Sequence, residues 1–350
     1  MKNIMIGNRE IGVGVAPFII AEMSGNHNQS LDQAMAIVEA AAKAGVDALK
    51  LQTYTADTMT LDVKDGEFFI SDKNSLWYGH SLHDLYKKAY TPWEWHKPIM
   101  ERCKQLGLLC FSTPFDETAV DFLETLDVPC YKIASFENIH LPLIEKAART
   151  GKPLIISTGM ATVSEIFEAV ETARKAGCKY LILMKCNSGY PANPAETNLA
   201  TISHMSQLFN CHVGLSDHSL GIGVAIASVA VGAVAIEKHF IVSHETKSVD
   251  SEFSVNLEEM KLIVEESKRA QEAVGVVSYG PTARELSSLI YRRSLYIAKD
   301  LKAGAIISAE DIRAVRPSKG LHPKYQSIVL GKKISKDIKM GTPVSWDILL

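Results

Sequence analysis

The sequence predicts an α/β protein, a (β/α)8 barrel followed by a small β-rich domain, and three observations predict it. A length of 350 residues matches one barrel of roughly 250 residues with an addition, or about two ordinary domains. Eight short apolar, β-rich runs alternate with helical stretches through residues 1–280. Each run turns polar at its C-terminal end, and a closed barrel gathers such ends at one mouth, where barrel enzymes carry their chemistry.

In chain order the runs are Phe18–Glu22, Ala48–Gln52, Leu108–Thr113, Cys130–Ser135, Leu154–Thr158, Tyr180–Cys186, His212–Ser216 and Val234–His239. Helical periodicity fills the intervals at Leu31–Ala44, Trp93–Gln105, Glu117–Leu126, Leu141–Arg149, Val163–Ala176 and Leu257–Ala273, several of them ending in the glycine that suits a helix C-cap. The connection from Thr53 to Pro92 is too long for an ordinary loop and rich in aromatic residues, among them Tyr54, Trp77, Tyr78 and Tyr86. That predicts a lid or subsite wall. Beyond Gly280-Pro281 the periodicity changes, and Ser294–Ala298 reads as a strand before a turn at 300–304. The division expected is a barrel over 1–280, a linker over 281–289 and a separate domain over 290–350.

Composition narrows the class. With 47% apolar and 22% charged residues the chain has material for a large core, and a net charge of −3 offers no overall field for nucleic acid or an anionic membrane. Six scattered cysteines without a CxxC pair fit a reducing compartment. No secretory signal is read at the N-terminus, so a cytoplasmic location is expected. The uncharged stretch Leu220–Ile236 carries three glycines and runs into Glu237-Lys238-His239. It reads as a buried helix followed by a buried strand, and no membrane association is expected.

The polar run ends supply the candidate chemistry. His218 and His239 close the seventh and eighth runs, neighbours in a closed barrel, so both imidazoles reach one divalent ion (Mn²⁺, Co²⁺ or Mg²⁺) with open positions left for substrate or water. A lone histidine is more often a satisfied core group; two at adjacent strand ends point to a metal, with Glu22 across the closure completing or orienting the shell. Lys50 and Lys132, with hydroxyls from Thr113, Ser135, Ser157, Ser188 and Ser216, suit a phosphorylated carboxylate. Asn187 and Glu237 share the same rim. A Schiff-base aldolase using one lysine competes with this reading, and acids such as Glu137 argue against the depressed lysine it needs. A non-catalytic ice- or carbohydrate-binding protein would not require eight polar run ends.

Several motifs together resemble the sialic acid synthase family: Glu22-Met23-Ser24-Gly25-Asn26-His27-Asn28, Phe111-Ser112-Thr113-Pro114-Phe115-Asp116, Lys132-Ile133-Ala134-Ser135-Phe136-Glu137, Ser157-Thr158-Gly159-Met160, Gly214-Leu215-Ser216-Asp217-His218 and Glu237-Lys238-His239-Phe240. The tail, with Arg293-Ser294-Leu295 and Arg316-Pro317-Ser318-Lys319-Gly320, resembles that family's antifreeze-like (SAF, β-clip) domain. The segment Trp77-Tyr78-Gly79-His80-Ser81-Leu82-His83-Asp84-Leu85-Tyr86 and Lys185 look like its pseudaminic acid branch, while Ser243–Asp250 departs from the commoner pattern of the other branches.

The resemblance implies a TIM barrel that condenses phosphoenolpyruvate with an open-chain, diacetamido trideoxy hexose and water, giving a nine-carbon 2-keto acid and phosphate. N-acetylmannosamine or the diacetamido mannose isomer is the alternative sugar. It further implies that Glu22 orients a water, that Glu137 handles a proton, and that Lys50 and Thr113 hold the carboxylate. Lys132, Ser135, Ser157, Ser188 and Ser216 would hold phosphate, and Tyr190 and Asp250 would contact sugar. A homodimer is implied in which the C-terminal domain covers the partner's site through Arg316.

Overall fold

The computed structural model describes residues 1–350 as two compact units, Met1–Gly275 and Val276–Leu350. The first opens with an antiparallel hairpin, β1 (Ile4–Ile6) and β2 (Arg9–Ile11), that no periodicity in so short a stretch announced. Eight parallel strands then close a barrel: β3 (Phe18–Glu22), β4 (Ala48–Thr53), β5 (Leu109–Pro114), β6 (Tyr131–Ile133), β7 (Leu154–Ser157), β8 (Leu181–Cys186), β9 (His212–Asp217) and β10 (Ala235–His239), with β10 pairing β3 to complete the ring. The eight runs are these eight strands. The fourth is shorter than read, because Ser135–Glu137 turns into a 3-10 helix.

The helices are α1 (Leu31–Ala44), α2 (Ala56–Met59), α3 (Leu82–Ala89), α4 (Trp93–Gln105), α5 (Glu117–Thr125), α6 (Leu141–Arg149), α7 (Val163–Lys175), α8 (Thr201–Phe209), α9 (Gly223–Ala230), α10 (Leu257–Val274) and, in the second unit, α11 (Gln326–Val329). Side-chain caps start several of them: Ser30 on α1, Asp116 on α5, Thr162 on α7 and Asn256 on α10 each accept from the first turn. No helix is long and apolar enough to cross a membrane.

Two apolar layers lie between the strands and the helix ring, and a third fills the barrel. That third layer joins Phe18, Ile20, Ala48, Phe111, Ile155, Ile182 and Ala235 to Ile4, Ile6 and Ile11 of the hairpin, which plugs the N-terminal end. Gly214 on β9 is needed here, since a Cβ would lie 2.6 Å from both Met184 Sδ and the Ala235 carbonyl. The second unit has its own core around Leu295, Ile312, Ile334 and Val344, and pairs β11 (Ser294–Ile297) with β12 (Ile312–Val315).

Candidate active site

Alternate residues of a strand face the same side, and here each inward column changes character halfway up. On β3 it reads Phe18, Ile20, Glu22; on β4, Ala48, Lys50, Gln52; on β10, Ala235, Glu237, His239. The apolar lower half is the barrel core; the upper half lines a cavity of about 300 Å³ at the C-terminal mouth.

The cavity floor is a charge network. Lys50 Nζ lies 2.9 Å from Glu22 Oε1 and 3.0 Å from Glu237 Oε1, and Lys132 Nζ lies 3.1 Å from the same Glu237 oxygen. Ser216 Oγ donates to it as well, at 3.1 Å, and Gln52 Nε2 donates to Glu22 Oε1 at 2.9 Å. All four charged groups are buried. Burial pushes Glu22 up, but His239, Lys50 and Lys132 outweigh it and hold the carboxyl well below its usual range. The same balance holds Glu237 down and Lys50 up. Lys132 goes the other way: burial and the neighbouring Lys50 lower it, against Glu237.

Above the floor the rings of His218 and His239 stand 5.3 Å apart, with Phe253 edge-on to both. His218 Nδ1 lies 2.8 Å from the Asn187 carbonyl, which assigns a proton there; Nε2 becomes a ligand atom once the ring gives up its second proton. His239 Nε2 lies 3.2 Å from Glu22 Oε2, and its Nδ1 is 3.9 Å from Asp250. Burial lowers His218, but the Cys186 thiol 3.8 Å from Nδ1 and the Asn187 carbonyl raise it further, to about 9; Cys186 in turn is lowered to about 7. No group of three His, Cys, Asp or Glu side chains is arranged to hold a metal ion. The two imidazoles alone make a partial, open donor set, one that fits a divalent ion only if substrate or water supplies the remaining positions.

Opposite the histidines is a hydroxyl cradle. A Cβ on Gly159 would lie 2.3 Å from Ser188 Oγ and 2.7 Å from Ser135 Oγ, so only glycine leaves that space open. Gly159 N donates to Ser135 Oγ. Five buried polar atoms without a partner gather at this site: Ser157 Oγ, Ser188 Oγ, Glu137 Oε2, Glu237 Oε2 and His239 Nδ1. Buried polar groups are normally paired, so such a cluster marks a polar ligand's place. Burial raises Glu137 to about 7, despite Lys132 and Lys50.

Most expected residues converge: Glu22, Lys50, Lys132, Ser135, Glu137, Ser157, Tyr190, Ser216, His218, Glu237, His239 and Asp250 all line the cavity. Four stand differently. Ser188, just beyond β8, is not among the residues lining the cavity, and its Oγ belongs to the cradle over Gly159. Thr113 is wholly buried and does not line the cavity; its Oγ1 lies 3.4 Å from Lys50 Nζ, so it braces the lysine. Asn187 spends its side-chain amide on Glu196 and Lys185, and serves the site through its backbone carbonyl. Arg316 is exposed and follows β12 in the second unit. From the lid segment, Trp77 and Tyr86 line the cavity and Tyr78 does not.

Residues missed in the sequence include Gln52, Cys186 and Phe253; the first was legible, lying two places beyond Lys50 on one strand. Behind the strands, Lys238 Nζ binds Asp217 Oδ2 (2.8 Å) and the Ser219 carbonyl, tying β9 to β10 on the face away from the cavity.

The NeuB family pattern matches residues 37–279 and the SAF domain pattern residues 292–350. A pseudaminic acid synthase of Campylobacter jejuni is 44% identical over 93% of this chain and 94% of its own length. One from Helicobacter pylori is 41% identical over 95% and 97%. Among solved structures, an N-acetylneuraminic acid synthetase of Leptospira borgpetersenii in complex with citrate is 32% identical, with a TM-score of 0.74 over 83% of this chain and 96% of that one.

Proposed function

The chain belongs to the NeuB family, and on that premise we propose that it is a pseudaminic acid synthase. It condenses phosphoenolpyruvate with 2,4-diacetamido-2,4,6-trideoxy-β-L-altropyranose, in its open-chain form, and water, giving pseudaminic acid and phosphate. The observation that carries the reading is the division of one cavity into a floor and cradle built for a phosphorylated carboxylate and a lid side built largely of apolar residues. The two relatives above bear that name.

In the proposed reaction Lys50, braced by Thr113, holds the carboxylate of phosphoenolpyruvate. Lys132, Ser135, Ser157, Ser188 and Ser216 hold its phosphate. C3 attacks the aldehyde carbon of the sugar; the cation left at C2 takes up water, and the tetrahedral adduct expels phosphate by C–O cleavage. His218 and His239 would hold a divalent ion (Mn²⁺, Co²⁺ or Mg²⁺), which would supply Lewis-acid polarisation of the aldehyde. Glu22, kept anionic by His239 and Lys50, orients the water, whose proton passes to the alkoxide formed at the sugar's former aldehyde oxygen. Glu137, titrating near neutrality, exchanges a proton near the phosphate or sugar. Tyr190 and Asp250 face the sugar. The lysines strengthen their hold on phosphate as its charge grows on leaving.

The C-terminal SAF domain is proposed to cover the site of the partner in a homodimer, bringing Arg316 to its sugar, and the enzyme to work in the cytoplasm on soluble substrates, without nucleic acid or membrane.

Phosphate release in ¹⁸O-water tests the reaction, with the diacetamido altrose, its mannose isomer and N-acetylmannosamine offered in parallel. Fastest turnover of the altrose isomer, with label in the keto acid, is expected. Preference for either other sugar assigns a different branch; label in the phosphate means attack at phosphorus.

One observation favours a second reading. The lowered Lys132 is the kind of lysine a Schiff-base aldolase uses, although its ion pair with Glu237 opposes attack. Borohydride inactivation with pyruvate would reveal it.

A further inference from the structure

One side of the cavity takes no part in the chemistry above. It is supplied by the 53–92 connection, through Tyr54, Met59, Ile70, Leu82, Leu85 and Tyr86 beside Trp77, whose indole N–H is spent on the Val249 carbonyl (3.1 Å), so the polar groups left on this wall are the two phenols. Tyr54 is 2% exposed, and its ring is held edge-on by Tyr86 (centroids 5.8 Å apart) and by Phe115 (5.1 Å). Burial and the nearby Asp250 carboxylate raise the Tyr54 phenol, and burial and Glu137 raise that of Tyr86, so both remain protonated donors.

The wall therefore offers apolar surface and a directional donor side by side. Three kinds of sugar substituent can be compared against it. A hydroxyl uses the donor but leaves the apolar side chains unfilled. A carboxylate or phosphate meets Asp250 and Glu137 across the same space. A secondary amide carrying a methyl group matches both halves, with its carbonyl for the phenol and its methyl for the aliphatic and aromatic side chains.

We infer that this wall is an acetamido subsite, in which the Tyr54 hydroxyl donates to the amide carbonyl of the sugar and the acetyl methyl packs against Met59, Leu85 and the Tyr86 ring. The inference rests on the proposed reaction only in taking the second substrate to be an acetamido sugar. It makes Tyr54 a specificity-determining residue.

Tyr54→Phe keeps the ring and removes the donor. In the metal-supplied enzyme it is expected to raise KM for the diacetamido sugar about tenfold, the scale of one hydrogen bond. KM for phosphoenolpyruvate and kcat should stay within about twofold. Two analogues, each with one acetamido replaced by hydroxyl, locate the contact: the Tyr54→Phe penalty should vanish for one and persist for the other. A penalty equal for both analogues, a fall in kcat with a changed KM for phosphoenolpyruvate, or no penalty at all overturns the assignment. Wild-type preference for N-acetylmannosamine would remove the branch reading but not this test, which then compares N-acetylmannosamine with mannose: a penalty confined to the amide sugar supports the subsite, and an equal one refutes it.

Discussion

Lys50 and Lys132 meet one and the same oxygen of Glu237, at 3.0 and 3.1 Å, while the other oxygen of that carboxylate has no partner. With Glu22 the floor carries two positive and two negative charges, so it is balanced before a substrate arrives and its ammonium groups are held in place by acids that an anionic substrate must compete with.

Removing the shared acid should therefore be costly. Glu237→Gln leaves two buried lysines with one carboxylate between them, and a loss of about 3–5 kcal/mol in unfolding free energy is expected, the scale for breaking a buried ion pair. Phosphate or phosphoenolpyruvate should raise the variant's melting temperature more than the wild type's. Lys132→Ala should cost at least ~2 kcal/mol in kcat/KM for phosphoenolpyruvate. Denaturation curves and steady-state kinetics check both.

The cradle makes a sharper demand. Gly159→Ala places a methyl where Ser135 and Ser188 hydroxyls come closest, so phosphoenolpyruvate binding should fall at least about tenfold while the helix layer and far-UV circular dichroism stay unchanged. Calorimetric titration with phosphoenolpyruvate measures this, and wild-type affinity would remove the cradle from the phosphate site.

For the histidines the expectation is reversible inactivation by chelation, restored by Mn²⁺, Co²⁺ or Mg²⁺, since two imidazoles hold a metal only moderately. His218→Ala and His239→Ala should each abolish turnover and the metal-induced rise in melting temperature. Both lie above the barrel core, so the fold should survive. Full activity in exhaustively chelated enzyme excludes the metal role.

Glu137 gives a pH signature. Its folded-state value is raised from about 4.5 to about 7, so the stability tied to its neutral form is complete below about 4.5 and is lost as pH rises through about 7. Wild type should lose melting temperature across that window relative to Glu137→Gln. Parallel pH series on the two proteins decide it; identical curves place no raised carboxyl at this position.

If the SAF domain acts on the partner's site, an Arg316→Ala chain mixed with a His218→Ala, His239→Ala chain should regain activity. In a hybrid, the chain with intact histidines then receives the intact arginine. Demonstrated hybrids without recovery would leave Arg316 acting within its own chain or not at all.

The barrel and most of the floor were legible because a strand's period of two is unambiguous: apolar residues followed by Glu22, Lys50, Lys132 or Glu237 at the strand's end can face only one mouth. Depth was not legible. Thr113 and Lys50 are both strand-end polar residues, yet Thr113, level with Gln52 in the β4–β5 register, is walled off and only Lys50 reaches the cavity. Asn187 meets His218 through its backbone carbonyl, a group every residue has and no composition reveals. The cradle at Gly159 depends on two serines from different connections, Ser135 in the 3-10 turn after β6 and Ser188 just beyond β8, meeting over one glycine. The N-terminal hairpin is too short to show a period, and its three isoleucines are explained only by the barrel end they fill.

Glu22 and His239, paired across the seam between β3 and β10, come from the first and last strands of the ring. A chain still emerging from synthesis, or one cut anywhere before residue 239, can hold every other strand and still lack half of the histidine pair. The histidine pair thus forms in a single step, when the ring shuts. Activity regained during refolding should therefore never precede completion of the barrel, and no form with an open ring should spend phosphoenolpyruvate.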